Sequence, residues 1–293
     1  MKRFLRRPEL QRQRQYRVSK WVGRNWARVH YARRIEPTWF EINRHELLID
    51  NLGVAFDGFR IVQISDLHCG PKLPQDYLQQ VMAAAQAEAP DAIVLTGDFV
   101  HKGFRHVDMA ATSLERLSAP HGVYAVLGNH DHSIRNSLGI RRHRRLSATI
   151  IHALQSRGVR VLDNESLTFQ QGEDQLHLVG VDDMWSRRCD VDRAMEGLDA
   201  ATPRVLLAHN PRTIERLGGR RCDVMLSGHT HGGQVNWPGL GRIALGRRTK
   251  QFAAGLYRHD QTHLYVNKGV GFGWRFRFGV RPEIAVFQLR CTI

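Results

Sequence analysis

Five short polar motifs, each set directly after a short apolar run, constrain this chain more than anything else in it. They are Asp66-Leu67-His68, Gly97-Asp98, Gly128-Asn129-His130-Asp131, Ala208-His209-Asn210 and Gly228-His229-Thr230-His231-Gly232-Gly233. Apolar runs of that length read as buried strands, and open α/β sheets build their sites at the carboxyl ends of strands. A fold that respects this order brings all five motifs to one place.

The expected strands lie at 59–64, 92–95, 123–127, 159–162, 176–181, 205–208, 224–226, 264–266 and 284–289. Helical spacing appears at 75–89, where Tyr77, Leu78, Val81, Met82 and Ala85 form one face closed by Pro90, and again at 146–155, ended by Gly158. Alternation of strand and helix in the first half predicts a parallel or mixed sheet, and the closer strands later predict antiparallel additions.

Charge divides the chain unevenly. Residues 1–35 hold twelve Lys and Arg against the single acid Glu9, which is +11 of the formal +15. Val18, Trp21, Val22, Trp26 and Val29 recur there near helical spacing. Indoles favour the headgroup zone and cations favour anionic lipid, so 1–36 reads as a basic amphipathic arm lying on a membrane surface. A solvated tail and a nucleic-acid-binding arm are the alternatives.

From residue 37 to 293 the texture is that of one folded domain, and 42% hydrophobic residues suffice for a full core. Cys69, Cys189, Cys222 and Cys291 are too dispersed for a zinc ribbon or a disulfide framework, which fits a reducing compartment. Cys69 adjoins His68, yet its side chain should face the other way and serve packing. No run of about 18 apolar residues exists, and the first residues lack the apolar centre of a secretory signal. A cytoplasmic protein, peripheral at the inner face of the membrane, is therefore expected.

On an extended backbone, residues two apart point the same way, so Asp66 with His68 and His229 with His231 each deliver two donors to one point. Asp98 and Asn129 follow at intervals of one strand–helix–strand unit. Two Asp, one Asn and four His exceed the roughly three protein ligands of a catalytic zinc, whereas two ions sharing a carboxylate would use all seven. Asp98, in the middle of the series, is the natural bridge, and mixed nitrogen and oxygen ligation suits Mn, Fe or Zn better than Mg or Ca. Two such cations, about 3.5–4 Å apart, bind phosphate oxygens and activate a water for in-line attack on phosphorus. Phosphoester hydrolysis is the expected chemistry.

In this order the motifs resemble those of the calcineurin-like metallophosphoesterases, over roughly residues 60 to 291. The resemblance implies an α/β (α+β) four-layer sandwich, two mixed β-sheets flanked by helices. It also implies one metal on Asp66, His68, Asp98 and His231, and a second on Asp98, Asn129, His209 and His229. His130 matches the histidine that acts as general acid or transition-state stabiliser, and Asp131 the carboxylate that orients it. Flanking residues, including Ile64-Ser65-Asp66-Leu67-His68 and Leu264–Gly271, are similar to the YaeI/YkuE-like subgroup of membrane-associated bacterial phosphodiesterases. That subgroup includes UDP-2,3-diacylglucosamine pyrophosphatases of lipid A biosynthesis, which implies a lipid-diphosphate substrate and contact with an anionic membrane.

Substrate contacts are expected from Arg141, Arg142, Arg144 and Arg145, by charge-assisted bonds to a diphosphate, and from Trp274 and Arg275 in the aromatic and basic segment 272–278. A solvated helix start and a sheet edge are the plain readings of those two stretches. Two other classes remain beside the lipid hydrolase. One is a nuclease or nucleotide phosphodiesterase, against which the confinement of charge to one arm speaks, so no stable nucleic-acid complex is expected. The other is a catalytically silent membrane-binding scaffold, against which the intact motifs speak. The oligomeric state is not legible.

Overall fold

A computed structural model describes residues 7–134, 143–242, 245–246 and 250–292. A 28-residue helix, α1 (Arg7–Arg34), leads into the domain. There follow β1 (Glu41–Ile49), β2 (Arg60–Ile64), α2 (Gln75–Ala87), β3 (Ala92–Thr96), α3 (Val107–Leu114), β4 (Val123–Val126), α4 (Leu146–Gln155) and β5 (Val159–Val161). The second half contributes β6 (Glu165–Gln171), β7 (Asp174–Gly180), α5 (Val191–Ala194), β8 (Arg204–Leu207), β9 (Val224–Ser227), β10 (Asn236–Trp237), β11 (Gly241–Arg242), β12 (Gly255–His259), β13 (Thr262–Val266) and β14 (Glu283–Cys291).

Two six-stranded sheets result, ordered β1-β14-β2-β3-β4-β5 and β12-β13-β9-β8-β7-β6. Strand alternation sorts their side chains into layers. Val62, Ile64, Ile93 and Leu95 pack under α2, α3 and α4, while Ile61, Ala92 and Val94 face the second sheet. From that sheet Val205, Leu207, Val224 and Leu226 meet them, and Leu206 and Met225 point outward under α5. Helices, sheet, sheet and helices make four layers. Strands buried on both faces are apolar throughout, which is why β2, β3, β8 and β9 are legible as unbroken runs.

Strands β1, β6 and β12 escape an apolar-run reading because all three are sheet edges and mix polar with apolar residues. The later strands supply the expected antiparallel additions at β6, β12 and β14, the last of which runs antiparallel to β2. Strands β7, β8, β9 and β13 run parallel, and antiparallel pairing in that sheet is confined to β6 and β12. The connections between β7, β8 and β9 carry α5 and a short helical turn, Pro211–Arg216, enough for crossovers. Helix α2 stops two residues before the expected end, where Ala89 turns left-handed at φ 48° because the residue before Pro90 is driven out of the helical region.

The end of the basic arm is fastened to the domain. Ala32 is fully buried, its carbonyl accepts from the Arg277 N–H at 2.9 Å, and the Glu36 carboxylate accepts from Val280 N–H at 2.6 Å. Further back, Val22, Trp26 and Val29 are exposed, while the side chains of Val18 and Trp21 lie outside the described residues. No helix is long and apolar enough to cross a membrane among the described residues.

Candidate active site

Strands β2, β3 and β4 are parallel to one another, as are β8 and β9. Their carboxyl ends meet at one edge of the sandwich. The loops there are laced by backbone bonds from Asp66 N–H to Gly97 carbonyl, His68 N–H to Asp98 carbonyl and Gly228 N–H to His209 carbonyl, at 2.9–3.0 Å. All seven expected donors are brought together.

The way they converge differs from the extended alternation expected of D-x-H and H-x-H. Asp66, His68, Asp98, His229 and His231 have left-handed φ values of 53°, 47°, 57°, 73° and 51°. Each non-glycine residue held there costs of order 1–3 kcal/mol. That cost is borne by a fully determined surround: the Asp66 carboxylate accepts from the Ser65 hydroxyl at 2.5 Å and from His229 N–H at 3.1 Å, and Asp98 Oδ1 from His130 N–H at 2.9 Å. Two glycines permit the close approach, for a Cβ at Gly128 would overlap the Asp98 carboxylate and one at Gly228 that of Asp66.

Distances divide the donors into two groups with one shared atom. Asp98 Oδ2 lies 3.5 Å from His68 Nε2 and 3.3 Å from His209 Nε2. On the first side His68 Nε2 is 2.8 Å from His231 Nε2, and Asp66 Oδ1 is 3.4 Å from the latter. On the second side His229 Nδ1 is 3.2 Å from His209 Nε2 and 2.9 Å from Asn129 Oδ1. Asn129 donates its amide N–H to the Ile134 carbonyl, which turns its oxygen inward.

The chemistry of this donor set demands positive charge. His209 Nδ1 faces the Thr96 carbonyl at 2.7 Å, and a carbonyl only accepts, so the ring's own proton sits there. Its Nε2 lone pair would then face the Asp98 carboxylate with nothing between them. Burial opposes protonation of His209, but the Asp98 charge outweighs it and the ring is pushed up to about 10. Asp98 likewise resists the effect of burial, and His209 and His130 hold it well below the usual carboxylate range. Burial lowers His68 and His231 and, with His209 beside it, brings His229 down to about 3. His68 and His231 thus present neutral nitrogens 2.8 Å apart, and His229 presents one 3.2 Å from His209. Such a buried set fits divalent cations in place of the missing protons, and Asp66, Asp98 and His209 offer ligand atoms within 4.8 Å of one another.

His130 stands at the edge of the cluster, its ring 4.7 Å from that of His68. Its Nδ1 donates to the His101 carbonyl at 2.9 Å. The expectation that Asp131 orients this ring gives way here. The Asp131 carboxylate is fully buried and accepts from the backbone N–H groups of Asp98, Phe99, Val100 and Gly128 at 2.8–3.3 Å, stapling the loop after β3 to the loop after β4. His101 was not among the candidates, and only its position three residues beyond Asp98 hints at its place. Trp185, edge-on to His229 with ring centroids 4.5 Å apart, and buried Arg277, 3.3 Å from His231 Nδ1, are likewise without a local signal.

The expected substrate contacts are dispersed. Arg144 and Arg145 are exposed before α4, and neighbouring His143 packs edge-on against Phe104, with 5.4 Å between centroids. Arg141 and Arg142 lie outside the described residues. Trp274 is exposed and Arg275 half-buried, both facing α1 across a cavity. Cys69 is buried in the helix-side core, and burial pushes its thiol up to about 12, consistent with packing.

The profile of the calcineurin-like phosphoesterases matches residues 59–233, and the chain belongs to that family. It is therefore a metallophosphoesterase, a hydrolase whose fold implies bound divalent ions. Among its relatives, Phosphodiesterase YaeI of Escherichia coli is 33% identical over 263 residues, covering 89% of this chain and 91% of YaeI. The uncharacterized metallophosphoesterase YkuE of Bacillus subtilis is 31% identical over 267 residues, covering 89% and 90%. UDP-2,3-diacylglucosamine pyrophosphatase LpxG of Chlamydia muridarum is 29% identical over 308 residues, covering 89% and 92%.

Proposed function

We propose that this metallophosphoesterase cleaves a phosphodiester or diphosphate bond in a lipid precursor of the UDP-2,3-diacylglucosamine kind, at the cytoplasmic surface of an anionic membrane. The observation that carries the catalytic part is the position of Asp98 Oδ2 within 3.5 Å of ring nitrogens from both donor groups. Asp66, His68, Asp98 and His231 would hold one ion, and Asp98, Asn129, His209 and His229 the other. Manganese suits the mixed donors, with iron and zinc as the alternatives. Bound there, the two cations neutralise charge on phosphate oxygens and acidify a water.

The chain's own groups supply the rest. His101 holds the Nδ1 proton of His130 in place, so Nε2 is the nitrogen left to protonate the leaving oxygen or to hydrogen-bond the charge that builds on it. The Asp131 staple keeps Asp98 and Asn129 in register. The lipid part of the reading is supported by the coverage of LpxG and by a basic helix with exposed Trp26.

Purified, Mn-loaded protein should release a phosphomonoester from UDP-2,3-diacylglucosamine and turn over bis-(p-nitrophenyl) phosphate more slowly. Turnover of the generic ester alone would remove the lipid assignment.

A further inference from the structure

Against the end of α1 lies a cavity of about 440 Å³ lined by Trp26, Val29, His30, Arg33, Arg34, Lys72, Trp274 and Arg275. Its three walls are the last turns of α1, the loop that follows His68, and the segment that follows Val270. Arg33, Arg34, Lys72 and Arg275 have no ion-pair partner among the described residues, and Arg275 Nε is buried without a hydrogen-bond partner. Four cations beside one another in a concave surface are mutually unfavourable until an anion joins them. The two indoles, Trp26 on α1 and Trp274 on the segment after Val270, are 69% and 60% exposed.

The walls are tied to the candidate active site. Gly271 N–H donates to the Asp66 carbonyl at 2.8 Å, Gly273 lies against the His101 ring, and Arg277 N–H holds Ala32 of α1. We propose that α1 and the 271–278 segment form one docking face for an anionic bilayer. In it Arg33, Arg34, Lys72 and Arg275 hold a phospholipid phosphate, while Trp26 and Trp274 enter the headgroup boundary. The helix is then a wall of the substrate's approach to His130 rather than a tether. This inference rests on the lipid reading above only for what is delivered, and vesicle binding tests it apart from catalysis.

The full chain is sedimented with vesicles of phosphatidylcholine, with and without 30% phosphatidylglycerol, a probe fraction set at about a third to give a strongly anionic surface. Binding should require phosphatidylglycerol and fall at least tenfold in Lys72→Glu/Arg275→Glu, with an unchanged thermal midpoint. Trp274→Phe should lose part of the vesicle-induced blue shift of tryptophan emission. The proposal is overturned by wild-type protein that ignores phosphatidylglycerol. It is equally overturned if the double variant binds like wild type while Arg12→Glu/Arg14→Glu/Arg17→Glu does not, which would make the arm a simple tether. Failure of the hydrolysis assay with vesicle binding intact would remove the substrate assignment and leave this surface standing.

Discussion

Replacing Asp131 by asparagine separates a structural staple from a catalytic orienter. The carboxylate accepts from Asp98 and Gly128 through Oδ2 and from Phe99 and Val100 through Oδ1. Asparagine keeps one oxygen and sets an NH2 group against the other two donors. Two buried backbone N–H groups then lose their acceptor at about 1–3 kcal/mol each, so the variant should lose about 2–6 kcal/mol. For a domain of this size that is roughly 3–10 °C in thermal midpoint. Equilibrium unfolding in denaturant, with chelator present so that bound ions do not mask the difference, measures it directly. A loss below about 0.5 kcal/mol, the range of an ordinary surface change, accompanied by a large fall in kcat would refute the staple and restore the orienting role. Because Asp98 is among the residues stapled, weaker metal retention should accompany the loss of stability.

Other outcomes follow from the same geometry. Asp98→Ala removes the atom shared by both donor groups and should abolish hydrolysis and lower the bound metal, as read by mass spectrometry of the dialysed protein. His130→Ala should lower kcat by about 10²–10⁴ while metal content stays at the wild-type value. Gly228→Ala forces a Cβ into the Asp66 carboxylate and should cost both metal binding and folding stability, measured by calorimetry with and without Mn. Asp182 is hydrogen-bonded by His132 and Arg188, each at 2.5 Å. Burial resists its ionisation, but those two partners hold its carboxyl below the ordinary value. Its ionised form therefore stabilises the fold above the unfolded pKa of about 3.9, and that stabilisation disappears as pH falls through the lower folded value. The stability gap between wild type and Asp182→Asn, followed by denaturant unfolding from pH 7 downward, should narrow only below about pH 4.

What the chain displays and what it conceals differ for physical reasons. Strands buried on both faces must be apolar throughout, so β2, β3, β8 and β9 announce themselves and the motifs at their ends can be placed together. Edge strands β1, β6 and β12 mix polar with apolar residues and carry no such mark. The seven donors are legible by type and order, but their convergence through left-handed backbone at Asp66, His68, Asp98, His229 and His231 is not. Side-chain identity does not encode that φ, and pleat alternation suggested the same convergence for a different reason. Asp131 shows the limit of motif position, since its bonds run to backbone N–H groups that no residue type reveals. His101 acts through its carbonyl, which every residue possesses.

The most direct test is anomalous diffraction from crystals of Mn-replete protein, recorded at the manganese edge. Two peaks about 3.5–4 Å apart, one on each side of the Asp98 carboxylate and ringed by the remaining six side chains, are predicted. A single peak, or none, with manganese in excess would contradict the paired centre on which the hydrolase account stands.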